Sequence, residues 1–170
     1  MRNPLIPPSA FEGRNGLRVW VGSTIVVVVP LLLVLMVFWN HFSIITVVAG
    51  FSAAAAPPAN WTALRFCRAR AKRRGLLRND VVTTYNLVGC IYGVAIPACL
   101  LVLAFVFIIV PDVGTTGLKG FLWESMSGLM IAVIAAVVGL IASLHVSMVS
   151  GFAAWWIAAR LQSGDTVSAM

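Results

Sequence analysis

The sequence has few charged residues, very few acidic ones and little of the material that enzymes use for catalysis. Of its 170 residues 10% are charged, five are acidic, two are histidines and three are cysteines, whereas 61% are apolar. A soluble globular domain has about 25% charged and about 45–50% apolar residues. A disordered chain has low hydrophobicity. The composition therefore predicts an integral membrane protein, and so few cysteines exclude a disulfide scaffold.

Long apolar stretches predict an all-α membrane protein with four transmembrane helices. A spanning helix needs about 20 mostly apolar residues to cross a hydrocarbon core of about 30 Å. The predicted spans are 19–38, 42–56, 86–110 and 126–159. Segments 39–41 and 111–125 are expected to be the turn and the loop that join the spans on the outer side.

The second predicted span is short, so it either crosses with the help of flanking tryptophans or is re-entrant. Pro57-Pro58 is expected to end its helix because proline lacks a backbone N–H donor and clashes with the preceding turn.

The cations are distributed asymmetrically over this topology. An N-terminal tail (1–18), a basic loop (57–85) and a C-terminal tail (160–170) hold eleven of the twelve Lys and Arg residues, and Lys119 lies on the other side. Two transmembrane hairpins, 19–56 and 86–159, connect these segments. Cytoplasmic loops carry an excess of Lys and Arg. Both termini are therefore predicted on the cytoplasmic side of a bacterial inner membrane, with the matrix side of the mitochondrial inner membrane as the alternative.

Ionisable residues inside a membrane usually mark transport or catalytic sites. Among Asp, Glu, Lys, Arg and His, only His145 lies within a predicted span. Ion-coupled carriers and intramembrane aspartyl peptidases need carboxylates that these spans do not supply. The chain is therefore predicted not to be an enzyme, and no metal or cofactor is assigned. His145 is interpreted as a neutral histidine bonded to a neighbouring helix, with a haem or pigment ligand left open.

Small residues recur at helical spacing in the last two spans. They are Gly139, Ser143, Ser147 and Gly151 in the fourth span, and Gly89 and Gly93 in the third. Small-xxx-small spacing lets helix backbones approach closely in lipid. His145 points away from this face because of the helical period. The fourth helix is therefore expected to have two buried sides, one of them against another membrane protein.

Seven cations crowd one stretch of the basic loop. They are Arg65, Arg68, Arg70, Lys72, Arg73, Arg74 and Arg78. On a helical wheel they point in every direction, which does not fit an amphipathic surface helix. They are expected to contact anionic lipid headgroups or an acidic partner. No aromatic or base-reading pattern accompanies them, so nucleic acid is not expected as a partner.

These features predict a non-catalytic structural or assembly subunit of a larger multiprotein membrane complex, of a secretion or energy-transducing type. One alternative is a small channel or uncoupled carrier whose path uses Ser and Thr hydroxyls and the Asn86 amide. A second alternative is a pigment- or haem-binding membrane subunit that uses His145.

Overall fold

The computed structural model describes residues 5–38, 44–104 and 110–167. The helices in these ranges are α1 (Gly13–Phe38), α2 (Ile44–Ala71), α3 (Arg78–Ala104) and α4 (Val110–Val167), preceded by a short 3₁₀ helix at Pro8–Phe11. Apart from one isolated β-bridge, the regular structure of the described residues is helical. The all-helical class predicted from the sequence is therefore confirmed.

Two helical segments are long and apolar enough to cross a membrane, Gly13–Phe38 and Ala136–Gln162. The chain buries only 11% of the apolar window in the first and 22% in the second. The core helix of a soluble protein is instead mostly buried. Contiguous apolar surface of this extent marks contact with a membrane or another protein. The two helices therefore favour a membrane location.

The prediction that Pro57-Pro58 ends the second helix is wrong, because α2 continues through both prolines to Ala71. Each proline removes one backbone hydrogen bond from the helix, but packing against α1 holds this stretch. The Trp20 indole N–H donates to the Pro57 carbonyl oxygen at 3.0 Å. Asn60 Nδ2 donates to Thr24 Oγ1 at 3.2 Å. The 28 residues of α2 extend about 42 Å at about 1.5 Å per residue, so the helix is not short.

The helices pair as two antiparallel hairpins that pack together. In the first hairpin the Trp20 and Trp61 rings meet edge to face with centroids 5.5 Å apart. At its other end Thr46 Oγ1 donates to the Phe38 carbonyl oxygen at 3.5 Å. In the second hairpin α3 lies along α4, and each of these helices also contacts the first hairpin.

The last two helices differ in length from the predicted spans. α3 starts at Arg78 and so includes part of the predicted basic loop. α4 starts at Val110, and segment 111–125, expected to be a loop, is helical. Pro111 fits there because the first N–H groups of a helix have no intrahelical partner. The predicted turn at 39–41 and the end of the predicted third span at 105–109 lie outside the described residues.

The buried core lies at the end of the bundle where α1 begins, α2 ends, α3 begins and α4 ends. The chain before α1 closes this end, so Ile6, Ala10 and Phe11 of the predicted N-terminal tail are buried in the bundle. Ile6 and Leu76 exchange two backbone hydrogen bonds of 2.9 and 3.1 Å. Phe11 is 1% exposed and packs in the same cluster as Tyr85 and Val19. We call this end of the bundle the basic end, because it also gathers most of the cations.

Candidate functional site

Cations from all four helices meet at the basic end. They are Arg14 and Arg18 of α1, Arg65, Arg68 and Arg70 of α2, Lys72, Arg73 and Arg74 of the following turn, Arg78 of α3 and Arg160 of α4. The described carboxylates at this end are Glu12 and Asp80. Of the seven predicted loop cations, Arg78 is partly buried and the other six are exposed. The cations outnumber the described carboxylates, so this end of the chain has a strongly positive surface.

Glu12 ties the segment before α1 to the end of α2. Its Oε1 lies 3.2 Å from Arg68 Nε and 3.6 Å from Lys72 Nζ. All three side chains are more than one-third exposed, and exposed ion pairs stabilise a fold by about 0–1 kcal/mol. Glu12 therefore orients the N-terminal segment more than it stabilises the bundle.

Asp80 organises the start of α3. Its Oδ1 lies 3.3 Å from Arg74 Nη2 and 3.5 Å from Arg70 Nη2, and its Oδ2 accepts the backbone N–H of Leu77 at 3.2 Å. A carboxylate in the first turn of a helix also interacts favourably with the helix dipole. Both oxygens of Asp80 are therefore engaged within the chain.

A layer of tryptophans separates the basic end from the apolar part of the bundle. These tryptophans are Trp20 of α1, Trp61 of α2 and Trp155 and Trp156 of α4. Arg65 Cζ lies 5.6 Å from the Trp61 ring centroid, and Arg160 Cζ lies 4.1 Å from that of Trp156. Tryptophan concentrates at membrane–water interfaces, and arginine binds its ring face through cation–π attraction.

Arg78 is held differently from the other loop cations. Its Cζ lies 5.5 Å from the Phe152 ring centroid and 5.8 Å from that of Trp155. The Arg78 Nε–H and the Trp155 Nε1–H are both buried, and among the described residues neither has a hydrogen-bond acceptor. Arg78 thus packs on two rings of α4 in place of a carboxylate.

The structure brings the six predicted small residues together where α3 meets α4. A Cβ on Gly89 would overlap Ser147, and a Cβ on Gly93 would overlap Ser143 and lie 3.0 Å from the Gly139 carbonyl oxygen. A Cβ on Gly151 would lie 3.0 Å from Val82 Cα and 3.1 Å from Tyr85 Cβ. The small face of α4 therefore packs against α3 within this chain.

The polar groups named for a transport path meet in this same contact. Ser147 Oγ donates to Asn86 Oδ1 at 3.0 Å. Ser143 Oγ donates to the Leu140 carbonyl oxygen of its own helix at 2.9 Å. These hydroxyl groups therefore serve helix contacts within the described residues.

His145 lies on the exposed side of α4, away from the small-residue face. Within the described residues its Nδ1 lies 2.8 Å from the Ile141 carbonyl oxygen one turn back, so the expected bond to a neighbouring helix stays a prediction for Nε2. A carbonyl only accepts hydrogen bonds, so in a neutral ring Nδ1 carries the proton and Nε2 is an acceptor. A cofactor on His145 stays a prediction from the sequence.

Cys67 is fully buried in α2, beneath the basic surface. Burial raises the pKa of its thiol from 9.0 to about 12, against a smaller lowering by a hydrogen bond with Thr84. The reactive form of cysteine is the thiolate. Cys67 is therefore a neutral packing residue at physiological pH.

Sequence reasoning missed the closure of the basic end by the N-terminal segment. The available signal was the presence of apolar Ile6 and Phe11 in a proline-containing stretch before the first span. Apolar side chains in an extended tail would be exposed to water, so their presence indicates that this segment packs against the rest of the chain. Their partners include Leu76 and Tyr85, which are more than fifty positions away and which no local pattern indicates.

Within the described residues, no three His, Cys, Asp or Glu side chains gather where they could hold a metal ion. Comparison of the sequence with protein-family models and curated proteins, and of the fold with solved structures, finds no match. The function is therefore inferred from the residues and their arrangement alone.

Proposed function

We propose that this chain is a non-catalytic, four-span subunit of a larger membrane complex. Its basic end faces the cytoplasm across a bacterial inner membrane, or the matrix if the membrane is mitochondrial. The tryptophan layer supports this topology. From Trp20 to Phe38 and from Trp61 back to Ile44, each helix extends about 25–27 Å at about 1.5 Å per residue. These lengths approach the hydrocarbon thickness of about 30 Å.

The observation that carries the proposal is the position of His145. At about 1.5 Å per residue it lies about 15 Å from Trp155 along α4, which is the middle of the bilayer in this topology. Its side chain is exposed, and Nε2 has no hydrogen-bond partner among the described residues. An unpaired polar group in hydrocarbon is costly, and an ionisable residue there normally faces protein. A helix of another subunit therefore covers this face and supplies an N–H or O–H donor to Nε2.

The same face of α4 is otherwise apolar, as expected for a contact within the membrane. Val149, one turn from His145, is 50% exposed, and Ile141 is 53% exposed. The small residues of α4 are already used against α3, so the contact with another subunit is formed by larger side chains. The positive surface of the basic end is left for anionic lipid or for acidic residues of the complex.

Site-specific photo-crosslinking in cells tests the proposal. A photoreactive amino acid replaces Val149 on the His145 face, and the matched control replaces Val26, which lies on α1 and is 46% exposed. We expect a protein crosslink from position 149 that is weaker or absent at position 26 and is reduced by His145→Leu. The proposal is wrong if position 149 crosslinks only to lipid and mild detergent yields the chain without a stoichiometric protein partner.

A further inference from the structure

Among the described cations of the basic end, Arg78 is the one that is partly buried, and it has no carboxylate partner in the described residues. Glu12 pairs with Arg68 and Lys72, and Asp80 pairs with Arg70 and Arg74. Among the described residues, the contacts of the Arg78 guanidinium are the two aromatic rings of α4. Arg78 is also the first residue of α3, where the helix dipole disfavours a cation. The site therefore combines a positive charge with a positive helix end.

Two donor groups at this place lack an acceptor. The Nε–H of Arg78 and the Nε1–H of Trp155 are buried and unpaired in the described residues. Neither arginine nor tryptophan has an acceptor of its own, so they cannot satisfy each other. Buried donors are normally paired, and leaving them unpaired is unfavourable. Because both donor atoms are covered, an anion with several acceptor oxygens would reach them with a small movement of these side chains.

We propose that Arg78, with Phe152 and Trp155, binds the phosphodiester group of one anionic phospholipid. A guanidinium presents a planar set of donors that matches phosphate oxygens. Arg78 is only partly buried, so part of its side chain remains accessible to a ligand. Stacking on two rings restricts the guanidinium before any ligand binds, which reduces the entropy that binding costs.

The depth of the site favours a lipid over a carboxylate from a partner protein. Trp155 belongs to the tryptophan layer, the level of headgroups in the proposed topology. Toward the apolar part of the bundle, Phe152 is 38% exposed, Met148 48% and Leu144 42%. These side chains offer an acyl chain a continuous apolar surface below the phosphate. The inference rests on the membrane topology of the proposed function, and the lipid would border the protein contact proposed at His145, since Phe152 lies about two turns from His145 on α4.

Native mass spectrometry of the full chain, stripped of lipid in detergent, tests the site. The probes are phosphatidylglycerol, phosphatidylcholine with the same acyl chains, and inorganic phosphate. We expect one tightly bound phosphatidylglycerol, with weaker binding of the other two. Loss of a charge-assisted contact in Arg78→Gln should weaken its binding about tenfold or more. The matched control Arg73→Gln removes an exposed charge of the same loop and should change binding less than about twofold.

If Arg78→Gln does not fold, two more conservative substitutions test the same site. Arg78→Lys keeps the charge but loses the planar donors, and Trp155→Phe keeps a ring but loses the N–H. Each should weaken phosphatidylglycerol binding about threefold or more. Each variant should elute at the same volume as the wild type in size-exclusion chromatography.

Three results would overturn the inference. They are equal binding of the two lipids, equal effects of Arg78→Gln and Arg73→Gln, and inorganic phosphate binding as tightly as the anionic lipid. If Arg78→Gln instead abolishes a protein crosslink and leaves lipid binding unchanged, the anion comes from a partner protein and the lipid site is refuted. Intact lipid binding without any stoichiometric partner would refute the proposed function and leave this inference standing.

Discussion

Replacing Gly89 with alanine is expected to destabilise the contact between α3 and α4. The added Cβ would overlap the Cβ and Oγ of Ser147. Because Ser147 Cβ is attached directly to the backbone, no change of rotamer relieves the overlap, and the two helices must move apart. Overpacking of this kind costs about 1–3 kcal/mol. The higher helix propensity of alanine offsets at most about 1 kcal/mol of that cost.

Gly50→Ala is the matched control for this substitution. It makes the same chemical change within α2, but the nearest atom to the new Cβ is Leu35 Cδ2 at 3.9 Å, an ordinary van der Waals contact. The gain in helix propensity is common to both variants and cancels in their difference. The Gly89→Ala chain should therefore be less stable than the Gly50→Ala chain by about 1–3 kcal/mol.

Unfolding by dodecyl sulfate in mixed micelles measures this difference. In a background with Cys90→Ala and Cys99→Ala, alkylation of buried Cys67 reports unfolding, and circular dichroism reports loss of helix. Adding Ser147→Gly removes the opposing Cβ, so the double-mutant cycle should show a favourable coupling of about 1 kcal/mol or more. Equal stability of the two alanine variants, together with zero coupling, would refute the packing register described for α3 and α4.

Two further predictions concern the basic end. The folded Cys67 thiol, with its pKa raised by burial to about 12, keeps its proton at pH values where the unfolded thiol, near 9.0, has lost it. Its contribution to stability is therefore complete below pH 9 and falls by about 1.4 kcal/mol per pH unit above it, toward pH 12. The free energy of unfolding of wild type minus that of Cys67→Ala should show this slope, and a flat difference would contradict it. Glu12→Gln releases Arg68 and Lys72 and should cost less than about 1 kcal/mol. Its effect on Tm should shrink in high salt because exposed charges are screened, and a loss unaffected by salt would contradict the ion-pair assignment.

Much of the candidate site could be predicted from the sequence because cation clusters and helical spacing are local properties. The loop cations and the small residues of the last two spans could be located in this way. The sequence could not show that Arg78, unlike Arg73, lies between two rings of α4, because those rings are more than seventy positions away. It also left open which of the two expected buried sides of α4 faces another protein, and only the packing shows that the small face contacts α3 within the chain.

By itself, the sequence determined the helical class, the apolar stretches and the gathering of cations into three segments, since composition and periodicity are sufficient for these. The tertiary structure decided that α2 passes through Pro57-Pro58, because the backbone bonds lost there are compensated by contacts with α1. It also decided which cations are neutralised, because an ion pair needs a short distance. Glu12 lies beside Arg68 and Lys72, and Asp80 lies beside Arg70 and Arg74. It also left Nε2 of His145 and the donors of Arg78 and Trp155 without partners among the described residues. Whether a polar group has a hydrogen-bond partner depends on which side chains meet in space, so the order of the residues alone could not show it.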